Sequence, residues 1–294
     1  MKRILKCFSI LITIGILAAG VFLGHVFLKV YGLKKDLESM DSMNFEVMYH
    51  IRGDSDVLKM SRYESDDTPM ATRWLASYIK KMEQGGRVSG EIRDDIFHGL
   101  VYAQGEEPAS IEFYYDDQAV FGIKRTMDYI IDMDEKHSGL SISMLKEVTP
   151  DGYVSLEQIR TLMGEENTAL QEPVDLIEQG KDLINALKWV IPASGKDNYF
   201  EETLKDMKMT YCSPIVTVNG IEGAQMTFGI GNTVNDKYIY VRMNDLNDNM
   251  GSDLEVLIHI QAQKNEAIVM PETISNDVIE ALASVIQLLN SFGK

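Results

Sequence analysis

The sequence is poor in cysteine and in the short motifs that mark common enzyme classes. Only Cys7 and Cys212 occur among its 294 residues, and Cys7 opens an apolar run, so we expect no disulfide between them. There is no glycine-rich phosphate loop, GxSxG elbow, HExxH pair or CxxC pair. The five histidines have no metal-ligand spacing on a shared helix. The sequence therefore predicts no catalytic, cofactor-binding or metal-binding residues.

Beyond residue 35 the chain has about half as many basic as acidic side chains. Its formal net charge is −17, and residues 1–35 hold six of the 28 basic side chains and no acidic one. The rest of the chain therefore carries 22 basic and 45 acidic groups. A protein of this charge repels phosphate backbones at long range. Nucleic acid is thereby excluded as a partner.

An apolar run without Lys, Arg, Asp or Glu covers residues 7–28. As a helix it would span about 33 Å, which matches the hydrocarbon core of a bilayer. We predict a cytoplasmic N-terminus at 1–6, a transmembrane signal anchor at 7–28, a stalk at 29–43 and an extracytoplasmic domain at 44–294. We therefore expect a single-pass protein of the cell membrane. The alternative is a signal peptide that is cleaved after Gly20.

The periodicity beyond residue 43 predicts an α+β fold. Clean alternation of apolar and polar residues indicates antiparallel strands, and there is no βαβ alternation. We expect a curved, half-barrel-like antiparallel sheet that packs helices on its concave face, after the N-terminal transmembrane helix. The predicted strands lie at 45–51 and within 87–132 and 212–270; the predicted helices start at Thr68-Pro69, at a capping box from Ser155 to Gln158, at Pro173, near 199 and at Asn276.

Three weaker patterns leave other chemistry open. Residues 244–251 carry the first ligand positions of a calcium loop, but Met250 and Val256 stand where glycine and glutamate are required, which favours a polar turn. The many acids allow carboxylate pairs of the kind used in glycoside hydrolysis, and none is singled out. The 17 methionines suit a malleable apolar interior.

The entry strand Ser42–Gly53, the hairpin at 111–124 and the apolar helices together resemble the LolA/LppX-like half-barrels of bacterial envelopes. Proteins of that group carry or sense lipids and other apolar molecules in the concavity of the sheet. The resemblance implies an apolar ligand enclosed by sheet and helices. The layout of anchor and domain is similar to that of single-pass envelope proteins of Gram-positive bacteria.

The sequence therefore predicts a non-enzymatic envelope module that binds a lipid-like ligand or a partner protein. The alternative is a structural or assembly protein with a solid core, whose acidic surface meets a basic partner; a hydrolase of envelope polymers is a remote third. The last helix separates the first two. Its apolar face at Val278, Leu282, Val285 and Leu289 predicts that it is buried and fills the concave side of the sheet.

Overall fold

The computed structural model shows an α+β protein with antiparallel strands. It describes residues 22, 24–37, 39–53, 70–94, 96–138, 143–163, 190–194, 199–205, 207, 209–214, 224–245, 252–263 and 266–292. The chain forms two compact units. Unit I comprises Met1–Met40 and Val174–Gln261, and unit II comprises Asp41–Pro173 and Ala262–Lys294.

Unit II contains six antiparallel strands in sequential order, each paired with the next along the chain. The strands are β1 (Ser42–Gly53), β2 (Gly85–Arg93), β3 (Ile96–Ala103), β4 (Ile111–Tyr115), β5 (Ala119–Gly122) and β6 (Tyr153–Ser155). Its helices are α2 (Met70–Glu83), α3 (Ile123–Ser138), α4 (Ser143–Val148), α5 (Leu156–Met163) and α7 (Asn276–Phe292). Such a meander needs only short connections between neighbouring strands.

Unit I is a second antiparallel meander. Its strands are β7 (Val190–Pro192), β8 (Thr210–Pro214), β9 (Ala224–Asn232), β10 (Asp236–Asp245) and β11 (Ser252–Ala262), again paired in sequential order. Its helices are α1 (residues 24–37) and the single turn α6 (Glu201–Leu204).

A row of phenylalanines crosses one face of the unit II sheet. The rings of Phe45 and Phe97 stack at 4.5 Å, and Phe113 follows at 5.2 Å from Phe97 and 6.4 Å from Phe121. A Cβ atom at Gly99 would lie 2.6 Å from the Phe113 ring. Glycine is therefore required there, because any side chain would displace the ring. Since alternate residues point to opposite faces, the polar neighbours of these phenylalanines lie on the other face.

The apolar core of unit II lies where α3, α5 and α7 meet strands β5 and β6. Its buried members are Ile123, Met127, Ile131, Val154, Ile279, Leu282 and Ile286. The prediction that the last helix is buried is confirmed for Leu282, which is 4% exposed. Val278 is 39% exposed, so the buried face is centred one position later than the predicted stripe. Helix α7 packs on other helices and on these short strands.

Several predicted elements are confirmed. The entry strand is β1, β4 and β5 form the hairpin expected within 111–124, and the last helix spans Asn276–Phe292. The capping box forms as expected: the Gln158 backbone N–H donates to Ser155 Oγ at 3.2 Å, and the Ser155 N–H donates to Gln158 Oε1 at 3.0 Å.

Two strand assignments were wrong. Residues 123–132 form the first part of α3, because Ile123, Met127 and Ile131 recur every four residues and together enter the core. The second strand-rich run ends at Ala262, so 266–270 are not in a strand. The helix from Pro173, most of the calcium-like loop and the Thr68-Pro69 start lie outside the described residues.

Within the residues that the structure describes, no helix is long and apolar enough to cross a membrane. The predicted anchor at 7–28 overlaps those residues only at 22 and 24–28.

Candidate functional site

A polar cleft of about 660 Å³ opens in unit II between the ends of strands β3 to β6 and helices α2 and α3. Its lining combines three cationic side chains, six carboxylates and two tyrosines with short backbone segments. These side chains are Lys81, Lys124, Arg125, Glu106, Glu107, Glu112, Asp128, Asp132, Asp151, Tyr129 and Tyr153. Carboxylates outnumber cations two to one, so the cleft is formally acidic even though it contains lysine and arginine.

Helix α3 supplies one wall because its sequence carries two stripes at helical spacing. Ile123 and Met127 belong to the buried stripe, whereas Lys124, Asp128 and Asp132 recur every four residues on an adjoining one. Burial of the apolar stripe therefore turns the charged stripe towards the cleft. Within it, Lys124 Nζ lies 3.5 Å from Asp128 Oδ1.

The first polar cluster of the cleft is centred on Glu106. Its carboxylate accepts a hydrogen bond from the Tyr129 hydroxyl and forms an ion pair with Lys81. The Lys81 ammonium also lies 5.6 Å from the centre of the Tyr129 ring, within cation–π range. Burial, and then the hydrogen bond to the charged Glu106, raises the pKa of Tyr129 above its ordinary value. Tyr129 therefore stays a hydrogen-bond donor at physiological pH.

The second cluster is centred on Glu112, which is half-buried on β4. Arg125 Nε lies 3.4 Å from Glu112 Oε2, and His98 Nε2 lies 3.1 Å from Oε1. The other ring nitrogen of His98 lies 3.5 Å from Glu91 on β2. Glu91 and His98 are directly opposed in the β2–β3 register, so strand pairing alone places them together. Glu112 is consequently held in place from two sides.

Aromatic rings cover the second cluster. His98 stacks on Tyr114 at 4.3 Å between ring centres, and Tyr114 meets Tyr153 edge-on at 5.4 Å. Burial, followed by the nearby charge of Glu112, raises the pKa of Tyr153 above its ordinary value. Glu112 is therefore enclosed by packed rings and by neutral tyrosine hydroxyls.

The remaining cations and acids of the cleft differ in how they are held. Lys124 Nζ donates to the Lys146 carbonyl oxygen at 2.7 Å, and Lys146 pairs in turn with Asp132. Asp151, by contrast, lies exposed in the loop before β6. Asp151 is therefore the lining carboxylate for which the structure shows no ion pair with a cation of the described chain, whereas the other five pair with Lys81, Arg87, Arg125, Lys124 and Lys146.

Unit I contains a histidine–tyrosine stack of similar geometry. His259 stacks on Tyr238 at 4.4 Å, and its Nε2 lies 2.8 Å from Asp236 Oδ1. Gln261 donates to the same oxygen at 2.7 Å. These hydrogen bonds are the main reason that the pKa of Asp236 is lowered. His259 thus has both a carboxylate and a ring contact on the polar face of its strand.

A buried carboxylate lies deeper in unit I. Glu255 is 1% exposed and accepts hydrogen bonds from the Tyr240 hydroxyl at 3.0 Å and the Tyr199 backbone N–H at 2.8 Å. Arg242 Nε lies 4.0 Å from its other oxygen. Such pairing is what a buried charge requires, so this group supports the fold of unit I.

Among the described residues, no group of three or more His, Cys, Asp and Glu side chains is placed to hold a metal ion. Cys212 is fully buried in unit I, and burial raises the pKa of its thiol to about 12. A thiol in that state is a poor nucleophile. His50 shares a 3.3 Å hydrogen bond with Gln104 at the surface, and the calcium-like stretch 244–251, which was expected to be a polar turn, lies largely outside the described residues.

Sequence reasoning missed the cleft, although one of its signals was readable. The Lys124–Asp128–Asp132 spacing is visible in the sequence once 123–138 is assigned to a helix. The Glu91–His98–Glu112 cluster depends on strand register and leaves no local signal. No protein-family model matches this chain, and no curated protein matches it.

Proposed function

We propose that this protein is a non-enzymatic, membrane-anchored module on the outer side of the cell membrane, and that the acidic cleft of unit II binds a basic partner protein. The observation that carries the proposal is the charge arrangement of the cleft. Six carboxylates and three cations line it, and contacts with the chain hold the cations Lys81, Lys124 and Arg125. An incoming lysine or arginine side chain therefore meets an acidic rim.

The side chains that line the cleft suit a peptide segment of a partner protein better than a lipid. Its walls are mostly charged and tyrosine side chains, whereas sites for apolar ligands are lined predominantly by hydrophobic residues. Tyr129 and Tyr153 add ring faces on which a guanidinium or ammonium group can pack. A basic peptide loop supplies both the charge and the aliphatic stem that such walls accept.

The core of unit II also favours a partner over a carried lipid. Ile279, Leu282 and Ile286 of α7 pack against the core residues of α3 and β6. Helix α7 thereby covers apolar surface that a lipid would otherwise need. We further propose that the sheet is curved like a half-barrel and that helices pack on its concave face. The helices would then fill the space in which a lipid is carried.

The location rests on the sequence. The uncharged run at 7–28 has the length of a bilayer span, and the basic residues that precede it favour a cytoplasmic N-terminus. The acidic units then lie outside, where a net excess of carboxylates keeps them soluble and attracts basic surfaces over distances of about one Debye length.

Charge reversal at the rim of the cleft tests the proposal. Asp151→Lys is the test variant, and Asp117→Lys is the matched control, because Asp117 is an exposed acid of the same unit that does not line the cleft. Binding of a fluorescent octalysine peptide to the full chain in detergent is measured by anisotropy. We expect Asp151→Lys to weaken binding about 2- to 30-fold, since the reversal removes one exposed charge contact worth about 0.2–1 kcal/mol and adds a repulsion of similar size.

Asp117→Lys should change the affinity by less than about twofold. Raising the salt concentration from about 0.05 M to about 0.5 M shortens the Debye length from roughly 14 Å to roughly 4 Å and should weaken binding further. Equal losses in the two variants would mean that the peptide senses only net charge and that the cleft is not the site. A lipid that co-purifies stoichiometrically in native mass spectrometry would favour the apolar-ligand function instead.

A further inference from the structure

Helix α1 has two faces of opposite character. On its inner face Val26 and Leu33 are buried against Cys212, Phe228 and Ile230 of the unit I sheet. Phe22, Val30 and Leu37 extend the same contact. The spacing of these inner residues, 22, 26, 30, 33 and 37, is the stripe of a helix that packs on a sheet along its whole length. The helix is therefore part of unit I.

The C-terminal end of α1 is fastened by polar contacts. Asp36 accepts a hydrogen bond from Asn232 Nδ2 at 3.1 Å and lies 3.3 Å from the ammonium of Lys237. Lys237 is buried and also donates to the Thr233 carbonyl oxygen. The hydrogen bond from Asn232, and then that from Lys237, lowers the pKa of Asp36. Apolar packing and this ion pair together fix the direction of α1 on the sheet.

The outer face of α1 exposes large apolar side chains. Phe27, Leu28 and Tyr31 are 67%, 68% and 58% exposed, and the two rings stack at 6.3 Å. Because a fully exposed aromatic side chain offers about 150–250 Å², the three present roughly 300 Å² of mainly apolar surface. A patch of that size is at the lower end of the largest apolar patches on soluble proteins, about 300–600 Å², so its neighbours decide how it is used. The exposed Lys34 and Lys35 follow one turn later.

This order along the helix matches the polarity gradient of a bilayer surface. The uncharged sequence ends with Phe27 and Leu28, Lys29 follows directly, and Tyr31 and then Lys34 and Lys35 come after it. Along the helix axis, Phe27 and Lys35 are about 12 Å apart. This distance is comparable with the thickness of the headgroup layer plus the length of a lysine side chain. Tyrosine is enriched at that level of membrane proteins, and lysines there meet anionic headgroups.

We infer that the outer face of α1, formed by Phe27, Leu28, Tyr31, Lys34 and Lys35, lies in the headgroup layer of an anionic membrane and seats unit I directly on the bilayer. The inference rests on the membrane anchor of the proposed function and adds to it. Since Phe22, Val26 and Leu33 fix α1 to the sheet, residues 22–28 of the uncharged run belong to unit I at the membrane surface, and the part of the run within the bilayer precedes Phe22.

Depth measurements on the full chain test the inference. The protein carries Cys7→Ser and either Phe27→Cys or Val234→Cys, labelled with NBD and reconstituted in phosphatidylcholine vesicles with about one quarter phosphatidylglycerol. Buried Cys212 is protected from labelling. Val234 is the matched control, because it is a 91% exposed apolar residue in the turn between β9 and β10, beside the far end of α1.

We expect doxyl-labelled lipid to quench NBD emission at residue 27 at least about twofold more than at residue 234, and aqueous iodide to show the reverse order. Lys34→Gln with Lys35→Gln should reduce the lipid quenching at residue 27, and vesicles of phosphatidylcholine alone should do the same. Tyr31→Cys provides a second labelling position in case substitution of Phe27 impairs folding.

Flotation of the vesicles separates the two ways of failing. Protein that floats with the vesicles while residues 27 and 31 are quenched only by iodide would overturn the inference and leave the anchor standing. Shielding of both residues from both quenchers would show that another segment of the chain covers this face, which also overturns it. Protein that does not float would overturn the membrane anchor and the inference together.

Discussion

Truncation of Leu282 is the sharpest test of the helical core of unit II. This side chain is 4% exposed and packs among Ile123, Met127, Ile131 and Ile286. Leu282→Ala removes three carbon atoms, which costs about 2.4 kcal/mol in transfer free energy alone. The cavity left behind adds to this cost, and measured values for buried leucines reach about 5 kcal/mol. We expect a loss of about 3 kcal/mol.

Thermal unfolding followed by circular dichroism measures the effect. For a unit of 150–250 residues, each kcal/mol lowers the melting temperature by about 2–4 °C, so the transition of unit II should fall by about 6–12 °C. Val278→Ala is the control on the same helix, because Val278 is 39% exposed and alanine is the better helix former. Its melting temperature should stay within about 2 °C of the parent protein.

Two results would refute the reasoning. A Leu282→Ala protein that melts like its parent would show that α7 is not part of the core. Equal destabilisation by Leu282→Ala and Val278→Ala would show that Leu282 is no more deeply packed in the core than Val278, because alanine is the better helix former at both positions. Either result would also weaken the case against a carried lipid, because that case depends on α7 filling apolar space.

Three further predictions follow from buried polar groups. In a Cys7→Ser background, Cys212 should resist iodoacetamide at pH 8 and react fully in denaturant, because burial raises the pKa of its thiol to about 12. Burial likewise raises the pKa of Tyr49 to about 12. The unfolded chain releases this proton near pH 10 and the folded chain near pH 12, so the free energy of unfolding decreases between these pH values. In urea titrations, Tyr49→Phe should make this decrease smaller. Gln158→Ala should lower the free energy of unfolding in urea by about 2 kcal/mol and Ser155→Ala by about 1 kcal/mol. The loss is larger for Gln158 because its side chain also donates hydrogen bonds to Ile274 and Asn276 at the start of α7. Equal losses would contradict this link between α5 and α7.

Local patterns in the sequence were sufficient for some elements and not for others. The capping box at Ser155 and Gln158 was readable because its two hydrogen bonds join residues three positions apart. The start of α3 was not, since Ile123 directly follows strand β5 without a turn. The apolar residues of α3 repeat every four positions, but this helical period becomes visible only at Met127 and Ile131. The alternation in the preceding hairpin suggests that the strand continues.

The candidate site depends on contacts that no local pattern encodes. Lys81 and Glu106 lie on α2 and on the loop after β3, and they meet because the meander folds back. Glu112 reaches His98 diagonally across the β3–β4 pair. A shift of one residue in that register would move the ring to the opposite face. The charge of the chain was predictable, but the location of the acidic cleft required the fold.

The way in which the cleft holds its acids bears on whether it binds or catalyses. A general base needs a lone pair that is directed at a substrate proton. In Glu112 one oxygen faces His98 and the other faces Arg125, and in Glu106 they meet Lys81 and the Tyr129 hydroxyl. These carboxylates fix the walls of the cleft, and catalysis by either would require these contacts to break. The acidic group that can meet a partner is exposed Asp151 at the rim, where charge attraction acts without any proton transfer. These contacts support the proposal of a binding function over a catalytic one.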